Sequence, residues 1–355
     1  MIPYTKPFLP PREEYEAYLP GIWDRNWLTN MGPLAIDLEN KLADFLRVPQ
    51  VLYVANGTIG LQLAINALGL SGEIITTPFS FVATTSSIVW QHCKPVFADI
   101  DPGTLNVSVD NIEKLITEKT SAILVTHIFG NPCDVYAIGR LADRYGLRVI
   151  YDGAHCFGVK IGEASVYTFG DISICSLHAT KAYHSVEGGL IISRDQELIN
   201  KLAFMRNFGF NGPEKFAELG INAKNSEFHA AMGLVNLKHI DELMSKRSAV
   251  VKYYDFKLQQ VNLQRQAWFP GASRNNEYYP VIFENEASLK TCVQEMNAKD
   301  IFPRRYFYPS LTRSLPYVTP VSMPVSDNIS PRLLCLPLYP EMTPKEVDEV
   351  CSCIQ

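Results

Sequence analysis

Four stretches of the chain carry side chains suited to chemistry, and each falls where a short apolar run ends. Lys181 lies in "CSLHATKAYHSVEGG" (Cys175–Gly189), after the β-type residues Ile172, Ile174 and Leu177 and before the apolar run "LIIS". A strongly hydrated ammonium is costly to place between two core strands, whereas a partly desolvated lysine can react with a carbonyl through its neutral amine. In "VIYDGAHCFG", Asp152 closes an apolar run and His155 follows three residues on. A carboxylate there can face a cationic ring nitrogen. In "ANGTIGLQLAINAL", Gly57 and Thr58 stand where a strand closes and a helix opens, so free N–H groups and the helix dipole point outward toward a phosphate. Phe81, in "TTPFSFVATTSSIVW", can lay an aromatic face on a planar ligand.

Taken singly, each has an ordinary reading. A lysine snorkels to solvent, an aspartate caps a turn, a histidine packs, an Asn-Gly-Thr turn caps a helix, and an aromatic joins a core. Together they describe one ligand, pyridoxal 5'-phosphate. That cofactor needs a lysine for its aldehyde, an acid for its pyridinium nitrogen and an anchor for its phosphate. The acid keeps the ring nitrogen protonated, so the ring can accept electrons when a bond at the amine-bearing carbon breaks.

The elements that must position these residues alternate. "VLYVA", "EIITTP", "PVFADI", "SAILVTHIFG", "LRVIYD", "DISICSL" and "GLIISRD" read as strands, interleaved with helical periods such as "GTIGLQLAINALGL", "VATTSSIVWQH" and "DVYAIGRLADRYG". This predicts an α/β fold with a mainly parallel central sheet flanked by helices. In such sheets ligands bind outside the carboxyl ends of the strands, where all four features fall. Near residue 235 the texture changes. "LKHIDELMSKRSAVVKYYDFKLQQV" reads as one long amphipathic helix. Beyond it, "EYYPVIFE", a helix near Ala287–Lys299, "LLCLPLY" and "TPKEVDEVCSCI" suggest a smaller α/β domain. The expected division is residues 1–235, an N-terminal arm with the large domain, and 236–355.

Composition narrows the class. With 355 residues the chain can bury a large core. A net charge of −5 offers no basic footprint for nucleic acid or an anionic membrane surface. No apolar run is long enough to span a bilayer, and the proline-rich start is unlike a signal peptide, so a cytoplasmic location is expected. The eight cysteines are scattered without a CxxC pair, which predicts reduced, buried thiols and no metal site.

Over nearly its whole length the sequence resembles the DegT/DnrJ/EryC1/StrS sugar aminotransferases, of the fold type I pyridoxal-phosphate class. The blocks that carry the resemblance run in order from "WLTNMGP" through "ANGT", "HIFGNPCD", "VIYDGAH", "SLHATKAYHSVEGG" and "GINAKNSEFHAAMGL" to "RRYFYPSL" and "LCLPLY". The likeness is greatest to members that aminate dTDP-4-keto-6-deoxyglucose to the 4-amino-4,6-dideoxy sugar. It implies that Lys181 anchors the cofactor and carries the proton, Asp152 pairs with the ring nitrogen and His155 sits beside the ring hydroxyl. It further implies that Phe81 stacks on the ring, and that Gly57, Thr58 and Ser176 hold the phosphate. Asn222 would join them from a neighbouring subunit, making a homodimer. L-glutamate is the implied amino donor, with the pyridoxamine form of the cofactor between two half-reactions, in the synthesis of O-antigen or another surface glycan. Thr29, Asn30, Lys215 and Tyr308 are candidates for the sugar side.

Departures bear on the donor. The family's "GYNYR" block reads "GINAK" here, placing Lys224 where an arginine can fork onto a carboxylate. Phe307-Tyr308-Pro309 replaces a His-Tyr-Pro found in some members, while Leu177 for Phe and Gly153 for Ala look tolerable. Two enzyme alternatives are amination of a 3-keto sugar and a sugar dehydratase on the same fold, the latter disfavoured because related dehydratases carry histidine at Lys181. A non-catalytic regulator is the third alternative.

Overall fold

The computed structural model describes residues 1–354. Seven strands form the central sheet: β1 (Val51–Val54), β2 (Glu73–Thr76), β3 (Lys94–Phe97), β4 (Thr120–Thr126), β5 (Arg148–Asp152), β6 (Ile172–Ser176) and β7 (Gly189–Ile192). Their spatial order is β1-β7-β6-β5-β4-β2-β3. The pairs β6–β5, β5–β4, β4–β2 and β2–β3 are parallel, and only β7 runs against its neighbours. Each strand corresponds to an apolar run in the sequence. The runs lack polar alternation because both faces are covered. Along β4, Ile123 and Val125 pack into one apolar layer, while Ala122 and Leu124 pack into the other.

A second, smaller apolar core gathers Tyr279, Val281, Leu289, Met296, Leu334 and Val347. It is built on the antiparallel pair β8 (Pro280–Ile282) and β9 (Leu333–Cys335), with the helices Glu286–Ala298 and Pro344–Cys351. One helix, Glu227–Lys257, serves both cores. Its Ala230, Leu234 and Ile240 join the sheet's core, and its Val250, Val251 and Tyr254 join the smaller one. At 31 residues it is roughly 46 Å long.

This helix starts ten residues earlier than its amphipathic pattern predicts. Ser226 caps it by accepting the His229 amide, and the buried Glu227 accepts the amides of Leu34 and Ala35 at 3.0 and 2.9 Å. The first turns, "EFHAAMGLVN", are buried on most sides, so they have no polar face to display a period.

Candidate active site

The geometry begins with a strand order that brings three ends together. β1 and β6 are separated only by β7, whose first residue, Gly189, pairs with both Val54 and Ser176. Asn56 then starts the helix Gly57–Ala67, its side chain accepting the Ile59 amide at 2.9 Å. The first helical hydrogen bond is made by the Gly60 amide to the Asn56 carbonyl. The amides of Gly57 and Thr58 therefore stay free to meet an anion. A Cβ on Gly189 would stand 2.5 Å from the Asn56 carbonyl carbon and 2.7 Å from the Gly57 nitrogen, so only glycine lets β7 pass this close. A Cβ on Gly57 would lie 3.5 Å from that of Ser176, which puts the serine hydroxyl beside the helix start.

Asp152 ends β5 and is 5 % exposed. Its Oδ2 accepts the Thr84 hydroxyl at 2.7 Å and its Oδ1 accepts the Ala154 amide at 3.1 Å. Thr84 belongs to a buried hydroxyl network in which the Ser80 Oγ lies 2.8 Å from both Thr84 and Thr126. Burial pushes the Asp152 carboxyl above its ordinary range. The Thr84 hydroxyl, the Ala154 amide and the nearby Lys181 charge hold it back. A cationic ring nitrogen placed against this carboxylate would supply the counter-charge that its surroundings only partly provide.

His155 is also buried, and its Nδ1 accepts the Phe129 amide at 3.3 Å. Burial, and then the Lys181 charge, drive its pKa well below 6.5, so the ring is neutral with its proton on Nε2. Phe129 reaches this position only with φ +57°, a left-handed conformation that costs an aromatic residue about 1–2 kcal/mol. Its ring is held by neighbours, with centroids 5.4 Å from Tyr278 and 5.2 Å from Phe307. Tyr278 in turn lies 4.6 Å from the His155 ring. An aromatic wall thus joins the sheet's loops to the smaller core.

Lys181 sits in the loop between antiparallel strands β6 and β7. The loop is closed by the Leu177 amide to the Gly188 carbonyl at 2.8 Å and the Ser185 amide to the Leu177 carbonyl at 3.0 Å. The Lys181 side chain is 12 % exposed. Its Nζ donates to the Tyr278 hydroxyl at 2.9 Å and lies 3.6 Å from Glu277 Oε1. The lysine that looks misplaced in the sequence is thus met by polar groups from the other lobe.

One cavity of about 380 Å³ is lined by Gly57, Thr58, Phe81, Asp152, His155, Ser176 and Lys181. Every residue expected to hold the cofactor from within this chain reaches it. Phe81 is 54 % exposed, which leaves a ring face open. Arg304 and Tyr306 close the cavity from the smaller lobe. The Arg304 guanidinium rests over the rings of Tyr4 and Tyr306, 5.3 and 4.9 Å from their centroids, and those two hydroxyls are 2.7 Å apart. Among the described residues no carboxylate pairs with Arg304.

The other candidates lie outside this cavity. Asn222 accepts the Lys224 ammonium at 2.7 Å, and Lys224 rests over the Phe208 ring. Thr29 bonds the Asn225 carbonyl, Asn30 is exposed with φ +60°, and Lys215 is exposed. Tyr308 bonds Glu286 and lies under the Arg305 guanidinium. Within one chain these five polar positions and Asn222 do not meet the lysine. Nor is Gly153 a free exchange for alanine in this chain: a Cβ there would stand 2.6 Å from the buried Tyr167 ring.

Sequence reading missed Thr84, Thr126, Tyr278, Glu277, Arg304 and Tyr306. Thr126 was within reach of it, because it pairs with Asp152 at the carboxyl ends of adjacent parallel strands. Tyr278 and Glu277 precede a strand of the other lobe, and no spacing links them to Lys181. Among the described residues, no group of three or more His, Cys, Asp or Glu side chains could hold a metal ion.

The comparisons with known proteins accord with this geometry. The DegT/DnrJ/EryC1/StrS aminotransferase family model matches residues 11–355. The chain belongs to that family. It is an aminotransferase, with pyridoxal phosphate as the cofactor that membership implies. The aminotransferase is 40 % identical over 99 % of its length, and 97 % of the relative's, to a dTDP-4-amino-4,6-dideoxy-D-glucose transaminase of Shigella dysenteriae. It is 38 % identical over 98 % of its length, and 96 % of the relative's, to one from Escherichia coli. A crystal structure of DesI in the presence of its TDP-sugar product superposes with a TM-score of 0.92, at 30 % identity, covering 98 % of this chain and 90 % of that one. The cavity fits the cofactor on its own terms. It offers free amides at a helix start, a buried carboxylate short of counter-charge, and an amine between them and the second lobe.

Proposed function

We propose that this aminotransferase moves the amino group of L-glutamate to dTDP-4-keto-6-deoxyglucose, giving dTDP-4-amino-4,6-dideoxyglucose. One observation carries the reading: Lys181, Asp152 and the open helix start share a single cavity, in a chain whose 40 %-identical relative bears that activity. When bound, pyridoxal phosphate supplies the aldehyde and the electron-withdrawing ring. Lys181 anchors the aldehyde carbon and, once released, moves a proton between the two carbons that exchange it. Asp152 holds the ring nitrogen, with Thr84 and Ala154 fixing its carboxylate. His155, whose Nδ1 accepts the Phe129 amide, would have its Nε2–H available to the ring hydroxyl. Phe81 stacks on the ring, and Gly57, Thr58 and Ser176 hold the phosphate.

Arg304 is the cation for the donor's carboxylate. It stands free at the cavity, whereas Lys224 is engaged with Asn222 and Phe208. The working unit is a homodimer in which Asn222 serves the partner's phosphate site. Exposed Phe208, Phe216, Leu219 and Ile221 lie just before it, an apolar surface that fits a subunit interface. All eight cysteines are unpaired, which suits a reducing cytoplasm. The product suits O-antigen or another surface glycan. The two cores suit a division near residue 235, within the shared helix.

The test combines trapping and turnover. Borohydride should fix one cofactor on Lys181, and Lys181→Ala should fold but lose turnover. Glutamate with a panel of 3-keto and 4-keto dTDP sugars, followed by NMR, should give the 4-amino product alone, with parallel double-reciprocal lines. Amination of a 3-keto sugar instead, or intersecting lines, would overturn the reading.

A further inference from the structure

Glu277 is a charged group deep beside Lys181 to which the proposed reaction gives no role. Its carboxylate side chain is 2 % exposed, and neither oxygen has a hydrogen-bond partner. Among the described residues the one cation within 4 Å is the Lys181 Nζ, at 3.6 Å. A buried carboxylate without hydrogen bonds is expensive, and its retention beside a reactive amine calls for a use. Arg247, equally buried, lies behind it but directs its Nη1 at the carbonyls of Glu277 and Leu338, at 3.5 and 3.4 Å. Other ionisable groups that feel the carboxylate include the hydroxyls of Tyr4, Tyr167 and Tyr278 and the thiols of Cys156 and Cys175. Burial keeps all five neutral. On the other side of Lys181 stand Asp152 and neutral His155.

We propose that Glu277 and the Tyr278 hydroxyl form a dock that holds the Lys181 amine during the part of each cycle when it is not bonded to the cofactor. The proposal rests on Lys181 being the cofactor's anchor. An anchor that is released every turnover has a flexible four-carbon stem, and proton delivery needs its tip in one place. Tyr278 fixes the direction through its 2.9 Å hydrogen bond, and Glu277 fixes the charge. Glu277 acts only through the lysine, so it is a positioning residue.

The dock can be read without the cofactor. Protein stripped of pyridoxal phosphate is treated with limiting acetic anhydride at pH 7, and acetylation of Lys181 is followed by peptide mass spectrometry against the surface lysines as internal standards. Glu277→Gln keeps the shape and removes the charge. By removing the charged partner that holds the amine, it should speed labelling of Lys181 about tenfold or more while leaving the standards unchanged, with Glu277→Asp falling between it and wild type. Equal rates in wild type and Glu277→Gln would overturn the dock. Should Glu277→Gln lose its melting transition, Tyr278→Phe removes one hydroxyl from a packed ring. Faster labelling of Lys181 then supports the dock, and an unchanged rate rejects it. Borohydride trapping on the wild type separates the two readings. No adduct on Lys181 sinks the anchor itself, whereas an adduct with charge-insensitive labelling sinks only the dock.

Discussion

Thr84→Val isolates one hydrogen bond and asks what it does for Asp152, the carboxylate proposed to hold the ring nitrogen. Thr84 donates to Asp152 Oδ2 at 2.7 Å, both groups are buried, and valine fills nearly the same space. A hydrogen bond to a charged acceptor contributes about 1.5–3 kcal/mol. Thr126, linked to Thr84 through Ser80, can turn toward the orphaned oxygen and recover part of this. The net loss should lie near the low end, about 1.4 kcal/mol, which is about one pH unit or roughly tenfold in rate. The sign is set by burial, which already raises the Asp152 pKa. Losing a donor to the carboxylate raises it further, so the acid limb of the pH–rate profile moves to higher pH and the deficit shrinks as pH rises. Steady-state kinetics across pH, with thermal melting as a control, measure both effects. Thr84→Ser should retain most of the activity. Full activity in Thr84→Val would refute the role of the hydroxyl, and equal damage in Thr84→Ser would assign the effect to the methyl group's packing.

Gly153→Ala should destabilise by about 1–3 kcal/mol, because its Cβ meets the Tyr167 ring at 2.6 Å. A smaller side chain at Tyr167 should recover part of the lost melting temperature, and an unshifted midpoint for the single variant would count against the packing. Arg304→Gln should raise KM for glutamate about tenfold or more with a smaller effect on kcat, as expected for losing a charge-assisted pair. A rise confined to the nucleotide sugar would move Arg304 to the diphosphate instead. Acid should weaken the fold before any carboxylate titrates in the ordinary range. His127, held down to about 3 by burial, and His155 stay neutral when folded, while the unfolded chain gains protons below about 6.5. Each then removes up to about 1.4 kcal/mol per pH unit as pH falls, and Asp152, whose raised pKa has the opposite sign, offsets part of this. The melting midpoint should drop between pH 7.5 and 5.5, and a flat response would contradict neutral buried histidines.

What was legible in the sequence is the part that secondary structure places by itself. Asp152, Ser176 and Gly57 lie at strand ends or a helix start, Lys181 follows in the loop that leaves the strand of Ser176, and parallel strands bring such ends to one edge. Their meeting follows from topology. The long helix was legible only where it has a wet side: from Leu237 onward polar residues mark its outer face, while Ala230, Ala231, Leu234 and Val235 pack on all sides and hide its start. Gly153 carried a signal that could not be read, since the reason for it is Tyr167, fourteen residues on and brought over it only by folding. Nothing local marks the contributions of the second lobe. Tyr278 and Arg304 sit in or beside strands, with ordinary strand-like neighbours, and acquire a role only because the two cores are packed against each other through Phe129, Tyr306 and Phe307.

That packing sets Lys181 on one lobe and its polar neighbours on the other. The sheet supplies fixed groups, since Asp152 and the amides of Gly57 and Thr58 are tied to strands and a helix and need no movement. In the proposed reaction Lys181 is the group that must change partners, and it reaches across to Tyr278 and Glu277. A dock on the same loop would move with the lysine and hold nothing still. A dock on the second lobe is rigid relative to the sheet only while the interface holds. The strained φ of Phe129 sits within that interface, joining the His155 ring to Tyr278 and Phe307. Trimming Phe129 should therefore loosen two active-site groups on different lobes together, His155 and Tyr278.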